Sequence, residues 1–197
     1  MFPFGIDKHV FVVFRPRDDT TLRVFAADLG LWGTIDLADV ARARAADAGY
    51  GPKIQPEFLR YCVAPFEWLR ATHTRGGRAA GAPLRGVDVY LTSTVPRGGG
   101  VSSSSALVVA CTVAARAANL AALPRLGDVP RADGKDALTM VACESEWHFS
   151  GVPGGIMDQF TSMHAKEGHA CIIDCRKSEV HAECITHRRG LSGEILM

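Results

Sequence analysis

The stretch Pro96–Ala106, PRGGGVSSSSA, sets three glycines and four serines directly before the alanine-rich apolar run LVVACTVAARAANL, residues 107–120. A strand pattern leads into it: Val87, Val89, Leu91 and Ser93 alternate with Asp88, Tyr90 and Thr92. A chain that passes from strand to helix through a hinge without Cβ atoms creates a helix start open to the outside. Such a start leaves four backbone N–H groups without intrahelical partners, and the aligned peptide dipoles add about half a positive charge there. Glycines let the backbone wrap an anion closely. The serines are able to cap the helix, donate to phosphate oxygens, or lend a neutral oxygen to Mg²⁺. Two known uses of such a hinge are excluded. No Lys-Ser or Lys-Thr follows the glycines, so this is not a P-loop. No glycine follows a serine at Gly-x-Ser-x-Gly spacing, so it is not a nucleophile elbow. The competing reading is a flexible turn with a serine cap.

Composition narrows the partner. The 197 residues carry 22 Lys and Arg against 21 Asp and Glu, a net charge of +1, so nothing argues for nucleic acid or an acidic membrane surface. No apolar run reaches the roughly 20 residues needed to span a bilayer. The opening MFPFGIDKHVFVVF has neither the basic lead-in nor the cleavage site of a signal peptide. Six cysteines, at 62, 111, 143, 171, 175 and 184, lie mostly inside apolar segments, which suits a reducing compartment. A cytoplasmic protein with a small-molecule partner is expected. A zinc site from Cys171, Cys175, His181 and Cys184 is the sharpest rival use of the thiols, but it lacks a Cys-x2-Cys knuckle and ACIIDC reads better as a strand.

The element pattern is that of an α+β fold. KHVFVVFRPR and LRVFAA are β-branched and aromatic runs joined by PRDDTT, which predicts a hairpin. Residues 36–48 predict a short helix stopped by GYGP. PEFLRYCVAPFEWLRATH brings Phe58, Leu59, Cys62, Val63, Phe66 and Leu69 to one face of an amphipathic helix with a kink at Pro65. TRGGRAAGAP reads as a loop. Helices are expected over 103–120, over 135–149 and over IMDQFTSMHAK, with the loop LPRLGDVPRADG between the first two. HACIIDC and EVHAECI read as paired strands, and the last residues show no periodicity.

A second constellation sits in ESEWHFSGVPGGIMDQF. Glu144 and Glu146 end one helix, a glycine turn follows, and Asp158 falls in the first turn of the next. An Asp at a helix start is held ionised by the dipole, so one reading is a helix-stabilising carboxylate. The other is a carboxylate that orients or deprotonates a substrate hydroxyl while a phosphate sits at the first helix start.

At these residues the sequence resembles the GHMP small-molecule kinases, and within them the galactokinases. VPRGGGVSSSSA is similar to the family's Pro-x-Gly-Gly-Gly-Leu-Ser-Ser-Ser-Ala phosphate motif, and GVPGGIMDQF to the Gly-x-Pro-Cys-Gly-Ile-Met-Asp-Gln signature. The similarity runs on through GHACIIDCR and back to FPFGIDKHVFVVFRPRDD. The resemblance implies ATP-dependent phosphorylation of the C1 hydroxyl of galactose by a monomer. It implies a ribosomal-S5-domain-2-like N-terminal domain over residues 1–185, with at most the threshold of a ferredoxin-like C-terminal domain and an irregular tail over 186–197. By the same resemblance Gly98, Gly99, Gly100, Ser102, Ser103 and Ser104 hold the phosphates. Ser104 and Glu146 contact Mg²⁺, Asp158 faces the sugar hydroxyl, and Gly155 lies against the sugar. Phe58 stands where galactokinases tend to carry a tryptophan beside the adenine.

Several positions depart from the family pattern. Ser105 replaces the motif's alanine, Gly154 replaces a cysteine, and Val108 stands where a glutamate is common. The family's first motif, Arg-x-Asn-Leu-x-Gly-Glu-His-x-Asp, is expected before Met1, and the glycine-rich third motif has no counterpart after Cys184. The expectation is therefore the central half of a galactokinase, inactive as this chain. Two alternatives stay open: a catalytically dead sugar- or nucleotide-responsive regulator, and a kinase for another sugar such as arabinose or N-acetylgalactosamine.

Overall fold

The structure is a computed structural model that describes residues 1–75, 84–120, 134–174 and 181–186. Strands β1 (Val10–Pro16), β2 (Thr21–Ala26) and β3 (Leu31–Asp36) open the chain, followed by helices α1 (Leu37–Ala46) and α2 (Glu57–Arg75) and strand β4 (Val87–Ser93). Then come α3 (Ser103–Ala118), α4 (Lys135–His148), α5 (Met157–His164) and the strands β5 (His169–Asp174) and β6 (His181–Thr186). The α+β class and the three later helices agree with the sequence to within one or two residues. The two candidate loops over 74–83 and 123–134 fall almost wholly outside the described residues, as do Cys175 and the expected tail from 187 onward.

The expected hairpin does not form. The sheet order is β1-β4-β2-β3, so the later strand β4 lies between the first two, antiparallel to β1 and parallel to β2. Charge explains why. Arg15 of β1 and Arg23 of β2 lie level with Asp88 of β4, on either side of it. Arg15 Nη2 donates to Asp88 Oδ2 at 2.5 Å, while Arg17 Nη1 and Arg23 Nε donate to Oδ1 at 2.9 and 2.8 Å. Together the three guanidinium groups hold the Asp88 carboxyl below its ordinary value, Arg15 most of all. Closing β1 onto β2 at the same level would set two arginines side by side, which is destabilising. Gly86 completes the insertion: its N–H donates to Asp19 O at 2.8 Å and its C=O accepts from Arg17 N at 3.0 Å. A Cβ at Gly86 would lie 2.0 Å from Thr21 O, so no other residue fits between the diverging strands. Strand β3 adds to the elements expected from the sequence. Its sequence LWGTID is rich in β residues but short, and it runs straight into the helix that the alanine pattern announced.

One face of the sheet buries Leu22, Val24, Val87, Val89 and Leu91 against α2 and α3. From α2 come Leu59, Cys62, Val63, Phe66 and Leu69, the face expected from the 3-and-4 spacing, and the helix runs through Pro65 as one element. From α3 come Cys111, Ala115 and Ala118, whose small side chains let α3 pack against α2, α4, α5 and β1. The far end of α3 is tied to the sheet by Asn119, which is 2% exposed. Its Oδ1 accepts from Arg85 N at 2.8 Å, and its Nδ2 donates to Ala115 O at 3.0 Å. The near end of α3 is therefore held against a fixed frame. Strand β5 pairs with β6 on one side, as expected. Residues 1–4 lie along it on the other, with Cys171 N donating to Pro3 O at 2.8 Å and Ile173 N to Met1 O at 3.1 Å.

Candidate functional site

The hinge before α3 is built on left-handed backbone. Gly98 has φ 67°, Gly100 φ 70° and Ser102 φ 60°. A Cβ at Gly98 or Gly100 would meet nothing within 4 Å, so the dihedral rather than space selects glycine at both positions. Ser102 is the one described non-glycine residue with positive φ, a conformation that costs an L-residue about 1–2 kcal/mol. It occupies the position before α3, yet its side chain makes no capping hydrogen bond. Helix α3 thus begins with N–H groups uncapped by the Ser102 side chain, behind a glycine-lined approach.

Helix α5 also starts without a side-chain cap, and Asp158 lies in its first turn. The two starts share one cleft of about 2400 Å³, lined by Gly100, Val101 and Ser102 from the hinge and by Met157 and Asp158 from α5. Residues 2–10 form another wall, and Lys8 and Lys166 are among the lining side chains. The cleft therefore offers helix N–H groups, the cations Lys8 and Lys166, and the carboxylates Asp7, Asp158 and Glu167 along a single surface.

Behind the cleft, three helices meet in a buried polar cluster. Glu146 of α4 is 2% exposed. Ser105 Oγ of α3 donates to Glu146 Oε2 at 2.9 Å, and Gln159 Nε2 of α5 donates to the same oxygen at 2.7 Å. Gln159 Nε2 also reaches Ser105 Oγ at 3.3 Å, while Gln159 Oε1 accepts from Cys143 Sγ at 3.3 Å. The Cys143 thiol is pushed up to about 12, first by burial and then by the negative charges of Glu146, Glu144 and Asp158. No Lys, Arg or His pairs with Glu146 among the described residues. A buried carboxylate without a cation is costly, and a divalent ion is one group that would compensate it.

The sequence-predicted residues are thus partly brought together. Gly98, Gly99, Gly100 and Ser102 form the hinge, and Ser103 and Ser104 open α3, both half-buried. Gly100, Ser102 and Asp158 line the cleft. Glu146 lies beneath them, and the serine bonded to it is Ser105 rather than Ser104. Gly155 is exposed in the turn before α5. Phe58 stands apart: at the start of α2 it packs against the main core beside Gly33, and it does not line the cleft. Two participants escaped the sequence reading. Gln159 was visible only as the residue after Asp158. Ser105 was legible in principle, since residues 105, 108, 109 and 112 recur at helical spacing on the buried face of α3. Of the zinc candidates, Cys171 is buried in β5, and the side chains of the other three lie outside the described residues.

Comparison with known proteins identifies the family. Residues 68–166 match the family model for the GHMP kinases N terminal domain. A galactokinase of Chloroflexus aggregans is 34% identical over 176 residues, which are 89% of this chain and 38% of that protein. Human galactokinase is 41% identical over 98 residues, covering 50% of this chain and 22% of its own length. The crystal structure of Lactococcus lactis galactokinase complexed with galactose superposes with a TM-score of 0.68 at 21% identity, over 94% of this chain and 41% of that one. The chain spans less than half the length of these relatives. With the family model covering half of its residues, across the hinge, Glu146 and Asp158, the chain belongs to the GHMP kinases.

Proposed function

We propose that this chain forms the phosphate- and hydroxyl-facing part of a galactokinase, which transfers the γ-phosphoryl group of ATP to the C1 hydroxyl of galactose. The observation that carries the reading is the single cleft lined by both the uncapped start of α3 and Asp158. The C1 oxygen of the sugar attacks the γ-phosphorus, the bond from that phosphorus to the β,γ-bridging oxygen breaks, and ADP departs with the bridging oxygen. Asp158 orients the sugar hydroxyl and takes up its proton. The N–H groups at Ser103 and Ser104, with the hydroxyls of Ser102, Ser103 and Ser104, hold the phosphate oxygens, and Gly98, Gly99 and Gly100 let the backbone reach them. Gly155 borders the sugar.

The unpaired charge of Glu146 suits Mg²⁺, with the Ser104 hydroxyl as a neutral neighbour. Bound there, the ion would neutralise charge on the β- and γ-phosphate oxygens. Residues 1–185 act as one domain in this reading. Buried free thiols at Cys62, Cys111 and Cys143 suit a reducing, cytoplasmic setting.

The test has two parts. A fluorescent ATP analogue should bind the chain more tightly with Mg²⁺ than with a chelator. A form of the chain extended with the relatives' leading Arg-x-Asn-Leu-x-Gly-Glu-His-x-Asp motif should release ADP on addition of galactose, and arabinose and N-acetylgalactosamine should compete poorly. Absence of nucleotide binding by the folded chain would overturn the reading, and a better response to either rival sugar would reassign its substrate.

A further inference from the structure

We propose that Gln159 is the positioning residue for Glu146: it fixes the carboxylate for a divalent cation and ties that setting to the helix start that carries Asp158. The inference rests on the metal use proposed above and assigns it a further residue.

The geometry leaves the carboxamide little choice. A thiol offers one S–H donor, and burial, then the negative groups around Cys143, keep it protonated, so the amide oxygen of Gln159 faces Cys143 and the amide nitrogen faces Glu146. Its two N–H groups are then directed to Glu146 Oε2 at 2.7 Å and Ser105 Oγ at 3.3 Å, and Ser105 returns its own hydrogen to Oε2 at 2.9 Å. One carboxylate oxygen thus receives two donors. The other, Oε1, receives none among the described residues. A carboxylate gripped by one oxygen and left open at the other is set to accept a cation without first surrendering a hydrogen bond. Gln159 is itself 2% exposed and follows Asp158 directly in α5, so displacement of its side chain would disturb the carboxylate and the first turn of α5 together. Ser105, where the family motif has alanine, adds a second grip from α3.

Mn²⁺ in the presence of ATP is the probe, its binding followed by electron paramagnetic resonance, with metal-free ATP affinity measured on the same samples. Gln159→Met keeps roughly the shape and removes the donors. The concentration of Mn²⁺ for half-saturation should rise about 10–100-fold, the usual cost of losing a partner that orients a metal ligand. Metal-free ATP affinity should stay within twofold by the same logic, since the hinge is untouched. Should Gln159→Met not fold, Ser105→Ala removes a single oxygen and should still raise the half-saturation several-fold. An unchanged Mn²⁺ requirement in the folded variant, or an equal loss of metal-free ATP binding, overturns the positioning role. If the unsubstituted chain binds ATP without regard to Mn²⁺, the metal assignment itself fails and this inference falls with it.

Discussion

Two helix starts in this chain are built from similar residue types and do different things. At α1, Asp36 has extended backbone, with φ −88°, and its Oδ1 accepts from Ala38 N at 2.7 Å and from Thr20 Oγ1 at 2.7 Å. At α3, Ser102 is left-handed, caps nothing through its side chain, and faces a cleft. The first start has its donors satisfied inside the protein. The second leaves its donors without a side-chain cap beside a cleft and carries a strained residue as well. Cap-type residues at a helix start therefore mean little until the fate of the backbone N–H groups is known, and a start that leaves its donors unmet at a cleft is where binding is to be sought.

The contrast is broken most severely if Asp158, at the other uncapped start, turns out to be structural. In the chain extended with the leading motif, Asp158→Asn should lower galactose phosphorylation by about 10²–10⁴, with little change in melting temperature. A modest loss of stability, about 0.3–1 kcal/mol, with turnover intact would make it a dipole-stabilising residue only. Next in size, Gly100→Ala places a Cβ at φ 70°, where the protein leaves it room. The strain and the blocked approach should weaken ATP binding about tenfold, read by titration. Equal affinity would show that the hinge does not touch phosphate.

Asp36→Ala sharpens the other half of the comparison. It should cost about 1 kcal/mol of stability by denaturant melting and leave ATP affinity alone. The Thr20 hydroxyl and the Ala38 N–H hold the Asp36 carboxyl below its ordinary 3.8. A depressed folded value stabilises above that pH and is lost as pH falls through the lower folded value, so the difference between the two proteins should shrink in acid. The smallest effect is expected for Ser102→Gly. Relief of the left-handed strain against the greater freedom of glycine in the unfolded chain should leave a gain below about 1 kcal/mol, accompanied by weaker ATP binding from the lost hydroxyl.

Local order was legible where a period or a hinge announced it. The alternation of Val87, Val89 and Leu91, the stripe of Leu59, Cys62, Val63 and Phe66, and the glycines before α3 all took the forms they predicted. Pairing was less legible, because it depends on partners far along the chain. The turn chemistry between β1 and β2 suggested a hairpin, but Asp88 and Gly86, more than sixty residues away, decide that the two strands part. The site divides in the same way. Asp158, Glu146 and the serines stood in motifs, whereas the bonds of Gln159 and Ser105 to Glu146 arise only when α3, α4 and α5 come together.

The interposed strand also sets an order of events on the ribosome. Strand β4 is made after β1, β2 and β3, yet it is the strand through which β1 joins the sheet. Its partners wait across a separation of 65 residues between Arg23 and Asp88, a long loop to close before any reward arrives. In that interval β1 and β2 leave the exit tunnel with open edges, and their facing arginines discourage the short-range hairpin that would trap them. The emergence of Asp88 supplies the counter-charge and the middle strand in the same stretch of peptide. Nascent chains arrested before residue 87 should therefore expose an unpaired β1 and the open edge of β2 to chaperones, and those arrested well beyond residue 93 should not.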